Sequence, residues 1–191
     1  HIYHAGNFAD CFKHIILSRI ITYFQNKEKA FRIVDVHSGP GLYELKSQEA
    51  EKTGEWQDGI GKLLSHKFSK QTTELLTPYF NVIYSLNEKA DIQKGRLNIY
   101  PGSPQLAKTL MRKQDRLSLN ELETNAYEDL KKNFEDDFQI KITNLNAWHV
   151  IKSALPPKEK RGILLVDPAF EQKGDFFRMV RAAKDSCERF S

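Results

Sequence analysis

From residue 117 onward the chain alternates short apolar, β-rich runs with segments whose apolar residues recur at helical spacing. Residues 117–119, 139–142 and 163–166 read as strands, and 125–134, 147–154 and 174–190 read as helices between and after them. An earlier β-rich run, 31–36, precedes them. Each helix between two strands can return the chain to the same end of a sheet, which makes the pairing parallel. The expected fold is therefore α/β, built on a parallel sheet with helical crossovers.

The remaining segments fit around that sheet. Asn7 can cap a helix in which Cys11, Ile15, Ile16, Ile20, Tyr23 and Phe24 recur at helical spacing, and Asp10 stands where a capping box needs its acid. Residues 44–100 are polar and mostly helical in pattern, broken at Thr53-Gly54 and Asp58-Gly59, and read as an inserted lobe. Residues 104–114 read as a helix with Pro104 in its first turn. At 191 residues, the span 1–191 is read as a single domain. Opening on His1 and closing on Ser191, the chain is expected to be a fragment of a longer protein.

Composition removes several classes. Lys and Arg exceed Asp and Glu by 29 − 25 = 4, which mildly favours a polyanionic partner. Apolar runs stay well short of the ~18 residues of a membrane span, and no signal-peptide pattern precedes the first helix. Two cysteines, Cys11 and Cys187, make neither a disulfide framework nor a cysteine-rich zinc site. A reducing, cytoplasmic compartment is expected.

In parallel sheets of this kind ligands sit at the carboxyl ends of the strands. The chemistry-bearing residues fall there: His37 to Gly41 after the first strand, Glu121 after the second, Asn146 past the third and Asp167 after the fourth. Gly39 and Gly41 lack a Cβ, so backbone can approach a ligand closely; the alternative is a glycine turn without a ligand. Glu121 can accept ribose hydroxyl protons, or simply stand solvated at a helix start, where the helix dipole favours an acid. Asp167-Pro168-Ala169-Phe170-Glu171 follows the most apolar strand and is similar to the Asp/Asn-Pro-Pro-Tyr/Phe signature of methyltransferases acting on exocyclic amines. An adenine N6 lone pair is delocalised into the ring. An acceptor on Asp167, with the Pro168 carbonyl beside it, can take both amino hydrogens and aim that lone pair at a methyl group. Phe170 can stack on a base removed from its helix. The plain alternative is a strand end with a proline turn.

Other constellations lead elsewhere. Asp10 and His14 share a helix face, and a capped helix with a core-facing histidine explains them. His1, His4 and His14 lack the spacing of a zinc site, and no metal is expected. Lys13 reads as solvated. Asp35, Glu44 and Lys46 form a D…E-x-K pattern that holds Mg²⁺ in some nucleases. A Gly-Pro-Gly loop separates its acids, however, and Glu44 is not expected on a strand.

The order of four segments resembles one family. His4-Ala5-Gly6-Asn7-Phe8-Ala9-Asp10 with Lys13-His14, then Asp35-Val36-His37-Ser38-Gly39-Pro40-Gly41, then Tyr100-Pro101-Gly102-Ser103-Pro104, then Asp167-Pro168-Ala169-Phe170-Glu171 is similar to the RlmJ-type bacterial 23S ribosomal RNA adenine-N6 methyltransferases. The resemblance implies a Rossmann-like fold, S-adenosyl-L-methionine as cofactor and 23S ribosomal RNA as partner, with a monomer favoured. It places His14, His37, Gly39, Ser103, Glu121, Asn146 and Ala147 at the cofactor, Asp167 in catalysis, and Lys13, Pro168 and Phe170 with the substrate. It also implies that the lobe contacts RNA and that three further strands follow the one ending at Asp167, which would otherwise be an unpaired apolar edge. Asn146 replaces an acid, Ala169 a proline and Phe170 a tyrosine of the family pattern. The Asn146 side-chain oxygen is expected to accept from the cofactor's adenine amino group. The family was also once described as acting in the use of external DNA, so a nuclease or accessory protein in DNA catabolism is the alternative.

Overall fold

The computed structural model describes residues 2–170 and 172–190. In chain order it contains α1 (Phe8–Phe24), β1 (Arg32–Asp35), β2 (Leu42–Glu44), α2 (Gln48–Thr53), a π-helical turn (Gln57–Gly61), α3 (Lys62–Ser65), α4 (Lys70–Leu86), α5 (Lys89–Gln93), β3 (Ile99–Pro101), α6 (Ser103–Leu110), β4 (Arg116–Asn120), α7 (Thr124–Phe134), β5 (Ile140–Thr143), α8 (Ala147–Ala154), β6 (Gly162–Leu165) and α9 (Asp175–Phe190). The chain gathers into two compact units. One is His1–Asn26 with Gly41–Leu110, the other Lys27–Pro40 with Met111–Ser191.

The second unit holds the parallel sheet, in the order β5-β4-β1-β6. β1 pairs in parallel with β4 on one side and β6 on the other, and β4 pairs with β5. All four expected strands are present, each displaced by one residue at both ends from the apolar run that marked it. Ladder hydrogen bonds, not apolar content, set where a strand stops. The chain runs outward from β1 to β4 and β5, then crosses back to β6, so the order reverses beside β1. That reversal is the usual position of a ligand crevice. Among the described residues β6 is an edge strand.

On one face of this sheet Val34 and Val36 pack against Ala147, Val150, Ile151 and Leu155 of α8 and its end, with Leu164, Val166 and Ala182 around them. Ile33, Leu117 and Leu119 are also buried, so the strands are apolar on both faces. Each such side chain contributes about 1.5–3 kcal/mol on burial. At the amino ends Arg32 donates to both carboxylate oxygens of Glu159, at 2.9 and 2.8 Å. The expected helix 104–114 stops at Leu110. The reason is Asp115, fully buried, which accepts from the Arg112 backbone at 2.9 Å and the Phe31 backbone at 3.2 Å and turns the chain into β4.

The first unit is helical, as the pattern of 44–100 predicts, with a two-stranded antiparallel sheet of β2 and β3. Glu44 ends β2, contrary to the expectation that it lies off any strand, because Leu42, Tyr43 and Glu44 pair with Pro101, Tyr100 and Ile99. α1 packs against α4 and α6. Asn7 caps α1 by accepting from the Asp10 backbone at 3.0 Å, and Asp10 returns the bond to Gly6 at 3.1 Å, one residue earlier than a capping box. The buried face of α1 is Cys11, His14, Leu17, Ser18 and Ile21, whereas Ile16, Ile20 and Tyr23 of the apolar stripe are exposed. The helix is apolar on more than one side, so periodicity alone did not choose its inner face. Among the described residues no helix is long and apolar enough to cross a membrane.

Candidate active site

The loop after β1 is held by hydrogen bonds to the end of β4. Buried Asp35 receives the His37 backbone N–H at 3.3 Å on its carboxylate and the Ser38 hydroxyl at 3.1 Å on its carbonyl. The Ser38 N–H donates to the Asn120 carbonyl at 3.0 Å, and the Asn120 N–H returns to Ser38 Oγ at 3.1 Å. Gly39 sits at φ +60°, where a side chain would strain the backbone. Its N–H donates to Glu121 Oε2 at 2.8 Å.

Glu121 therefore already binds within the protein. Its other oxygen accepts from the Leu122 and Glu123 N–H groups at 2.8 and 2.9 Å. A carboxylate has roughly four lone-pair positions, so these three bonds leave room for about one further donor at the strand ends.

Asn120, which sequence reasoning missed, ties three strands together. Its amide donates to Val36 O at 3.2 Å and Leu145 O at 2.9 Å, and its oxygen accepts from Thr143 Oγ1 at 2.9 Å and the Leu145 N–H at 3.1 Å. The available signal was an asparagine closing an apolar strand, a residue type that strands disfavour.

Asn146 is the N-cap of α8, and its Oδ1 accepts from the Trp148 N–H at 3.1 Å. The oxygen expected to meet an adenine amino group thus already serves the helix, with one lone pair remaining. Ala147 is buried in the core beside Val34 and Val36, so its methyl group packs and does not face solvent.

His37 stands between these groups. Its half-buried ring meets Trp148 edge-on, with centroids 5.8 Å apart. Its Nδ1 is buried without a hydrogen-bond partner. Burial lowers the imidazole pKa from its ordinary value, against the opposing pull of Glu121, Asp167 and Asp175. The ring therefore stays neutral near pH 7, and three carboxylates lie within its electrostatic reach.

Asp167 follows β6, half-buried, and Pro168 is buried behind it. Phe170 is 52% exposed and adopts φ +58°. A bulky residue held there costs about 1–3 kcal/mol, a strain found at ligand clamps and active sites. Glu171 lies outside the described residues. Asp175 begins α9, accepting from the Gln172 N–H at 3.2 Å and pairing with Arg178 at 2.8 Å.

The other expected residues lie in the helical unit. Lys13 pairs with Asp10 at 2.8 Å. Burial pushes the Asp10 carboxyl up, but His14 and Lys13 outweigh it and hold it below its ordinary value. His14 is buried and bonded to Tyr100 Oη at 2.9 Å. Ser103 opens α6, buried, just after Gly102, whose N–H donates to Gly41 O at 2.9 Å. His4 pairs with Glu55 at 3.0 Å, and His1 lies outside the described residues. Among the described residues no three His, Cys, Asp or Glu side chains gather as metal ligands.

A family model described as RsmJ: Ribosomal RNA large subunit methyltransferase D, RlmJ, matches residues 28–191. The chain is 41% identical over 191 residues to Ribosomal RNA large subunit methyltransferase J of Haemophilus influenzae, covering 100% of this chain and 66% of that protein. It is 36% identical to the protein of the same name from Escherichia coli, covering 100% and 65%. A crystal structure of a Legionella pneumophila protein superposes with TM-score 0.84 at 32% identity, covering 98% of this chain and 66% of that one. The chain thus spans just under two thirds of the length of each of these relatives.

Proposed function

This chain belongs to the RlmJ family of ribosomal RNA large subunit methyltransferases, and on that footing we propose that it transfers a methyl group from S-adenosyl-L-methionine to N6 of an adenine in 23S ribosomal RNA. The observation that carries this reading is the gathering of His37, Glu121 and Asp167 at the carboxyl edge of one sheet, beside the strand-order reversal. A dinucleotide-like ligand is expected at that position.

The residues present fit the cofactor. Gly39 presents no Cβ, Glu121 keeps a lone pair for a ribose hydroxyl, and Asn146 keeps a lone pair and its amide donor. His37 Nδ1 has no hydrogen-bond partner within the protein and can bond to a polar atom of the cofactor. When bound, the cofactor supplies an electrophilic methyl group on sulfur. Asp167 and the Pro168 carbonyl accept the two N6 hydrogens, which draws electron density onto nitrogen and orients its lone pair. Phe170, strained and half-exposed, stacks on the extruded base.

Incubation with labelled S-adenosyl-L-methionine and unmodified 23S ribosomal RNA should yield N6-methyladenosine on nucleoside analysis. RNA without label would reject the reading. Asp167→Ala should slow transfer by about 10²–10⁴ while cofactor affinity changes far less. Asp167→Asn should retain more activity than the alanine variant if positioning dominates over charge.

A further inference from the structure

We propose that the cleft between α8 and α9 is a phosphodiester-binding subsite that holds the RNA strand flanking the target nucleotide; the proposal rests on the methyltransferase reading above. The cleft has a volume of about 360 Å³ and is walled by Trp148 and Lys152 of α8 and by Arg178, Arg181, Asp185 and Arg189 of α9. Four cations and one carboxylate thus line the cleft; Arg178 is paired with Asp175, and Arg189 donates to the Lys152 and Leu155 carbonyls. Among the described residues Lys152 and Arg181 make no ion pair, and both are exposed.

Arg178 adds a second, independent sign. Its Nη2 donates to Asp175 at 2.8 Å and to Gln172 at 3.2 Å, and its guanidinium lies 6.0 Å from the Trp148 ring centroid. Its Nε is nevertheless buried without an acceptor. An orphaned buried donor calls for an explanation, and an anion in the cleft is one; the side chain as a whole is 39% exposed and so within reach of such a ligand.

Position and length favour a nucleic-acid strand. The cleft begins at the carboxyl edge of the sheet, where Asn146 caps α8 and Trp148 meets His37. From Arg178 to Arg189 the cationic wall runs along α9 for about 16 Å at ~1.5 Å per residue, longer than a single phosphate group. Cations spaced along a groove with an aromatic side chain at one end are the usual means of tracking a single strand. An acidic protein segment carries similar charge but has no bases to stack beside Trp148, on one face of which the Arg178 guanidinium already lies.

The test is fluorescence anisotropy with a labelled single-stranded ribosomal RNA fragment, comparing wild type with Lys152→Gln/Arg181→Gln over a range of salt. The double variant should bind about tenfold more weakly, and its salt dependence should fall by roughly 0.7 for each phosphate that is no longer neutralised. Thermal melting and S-adenosyl-L-methionine affinity should be unchanged. Equal affinity and equal salt dependence in the two proteins would overturn the proposal. Displacement of the RNA by poly-glutamate as readily as by unlabelled RNA would assign the cleft to an acidic protein segment. Displacement by millimolar inorganic phosphate would reduce it to a single-anion site. The cleft is judged by binding alone. A wild-type protein that binds RNA through Lys152 and Arg181 yet transfers no methyl group supports the cleft and overturns the methyltransferase reading.

Discussion

His14 and His37 were both assigned to the cofactor by resemblance, yet the two units treat them in opposite ways. His14 is 1% exposed in the middle of α1 and belongs to a buried chain of hydrogen bonds. Its Nδ1 meets Tyr100 Oη at 2.9 Å, Tyr100 meets Tyr79 Oη at 3.1 Å, and Tyr79 donates to Cys11 Sγ at 3.6 Å. Burial pushes both phenols well above their ordinary range and the Cys11 thiol up to about 11, so all three stay protonated. His37 lies on a loop, its ring half-buried and its Nδ1 unpaired. Burial alone does not separate a structural histidine from a functional one. The state of the buried nitrogens does differ: a satisfied network rigidifies a core, whereas an orphaned group calls for an explanation, such as strain or a bound water, ion or ligand.

That contrast can be broken most severely at Gly59. A Cβ there would lie 2.0 Å from the Gly6 carbonyl oxygen, just where Ile60 N–H donates to it at 2.9 Å and the π-helical turn meets the segment leading into α1. Gly59→Ala should cost about 3 kcal/mol; an unchanged urea midpoint would show that the turn yields freely. Next in size is Tyr100→Phe, which removes the hydroxyl that meets both His14 Nδ1 and Tyr79 Oη and should cost about 1–3 kcal/mol. His37→Gln should stay within about 0.5 kcal/mol of wild-type stability while weakening S-adenosyl-L-methionine binding by about 1 kcal/mol. Calorimetry and urea titration of the pair give a double dissociation. If the His37 variant unfolds earlier while the Tyr100 variant loses only cofactor affinity, the two roles are reversed.

A smaller effect follows from pH. The folded-state pKa of His37 is lowered below 6.5, chiefly by burial. In the window below that value the unfolded chain binds more protons than the folded one, so this residue's contribution makes stability rise with pH. It makes stability fall as the pH drops from 6.5 toward the folded-state pKa, and His37→Gln should remove that component. An NMR midpoint at or above 6.5 for the His37 ring would contradict the burial argument. The smallest expected difference is chemical. Cys187 is exposed and should alkylate quickly, whereas buried Cys11, with its raised pKa, should resist until unfolding.

Much of the sheet unit was legible in the sequence. Ala147–Ala154 matches its expected helix at both ends, and the strand ends fall within one residue of the apolar runs. That follows because strand and helix periods are local properties of the chain. The placement of His37, Glu121 and Asp167 at one edge was legible for the same reason, since residues following parallel strands must share an edge. What those side chains do was less legible. Glu121 turned out to hold Gly39 and its own following turn, and the Asn146 oxygen turned out to cap α8. Asn120 and Asp115 went unnoticed, although each fixes several backbone groups at one end of the sheet.

The sequence by itself determined the α/β class, the parallel pairing and the carboxyl-edge position of the candidate site, because alternating periods and strand–loop junctions are written in consecutive residues. Only the tertiary structure decided which face of α1 is buried, that β6 pairs beside β1, and which polar atoms are already satisfied. Those outcomes depend on hydrogen-bond partners brought from far along the chain, such as Tyr100 for His14 and Glu121 for Gly39. A donor's availability to a ligand is whatever capacity remains after such distant partners have been met, and no local pattern encodes that remainder.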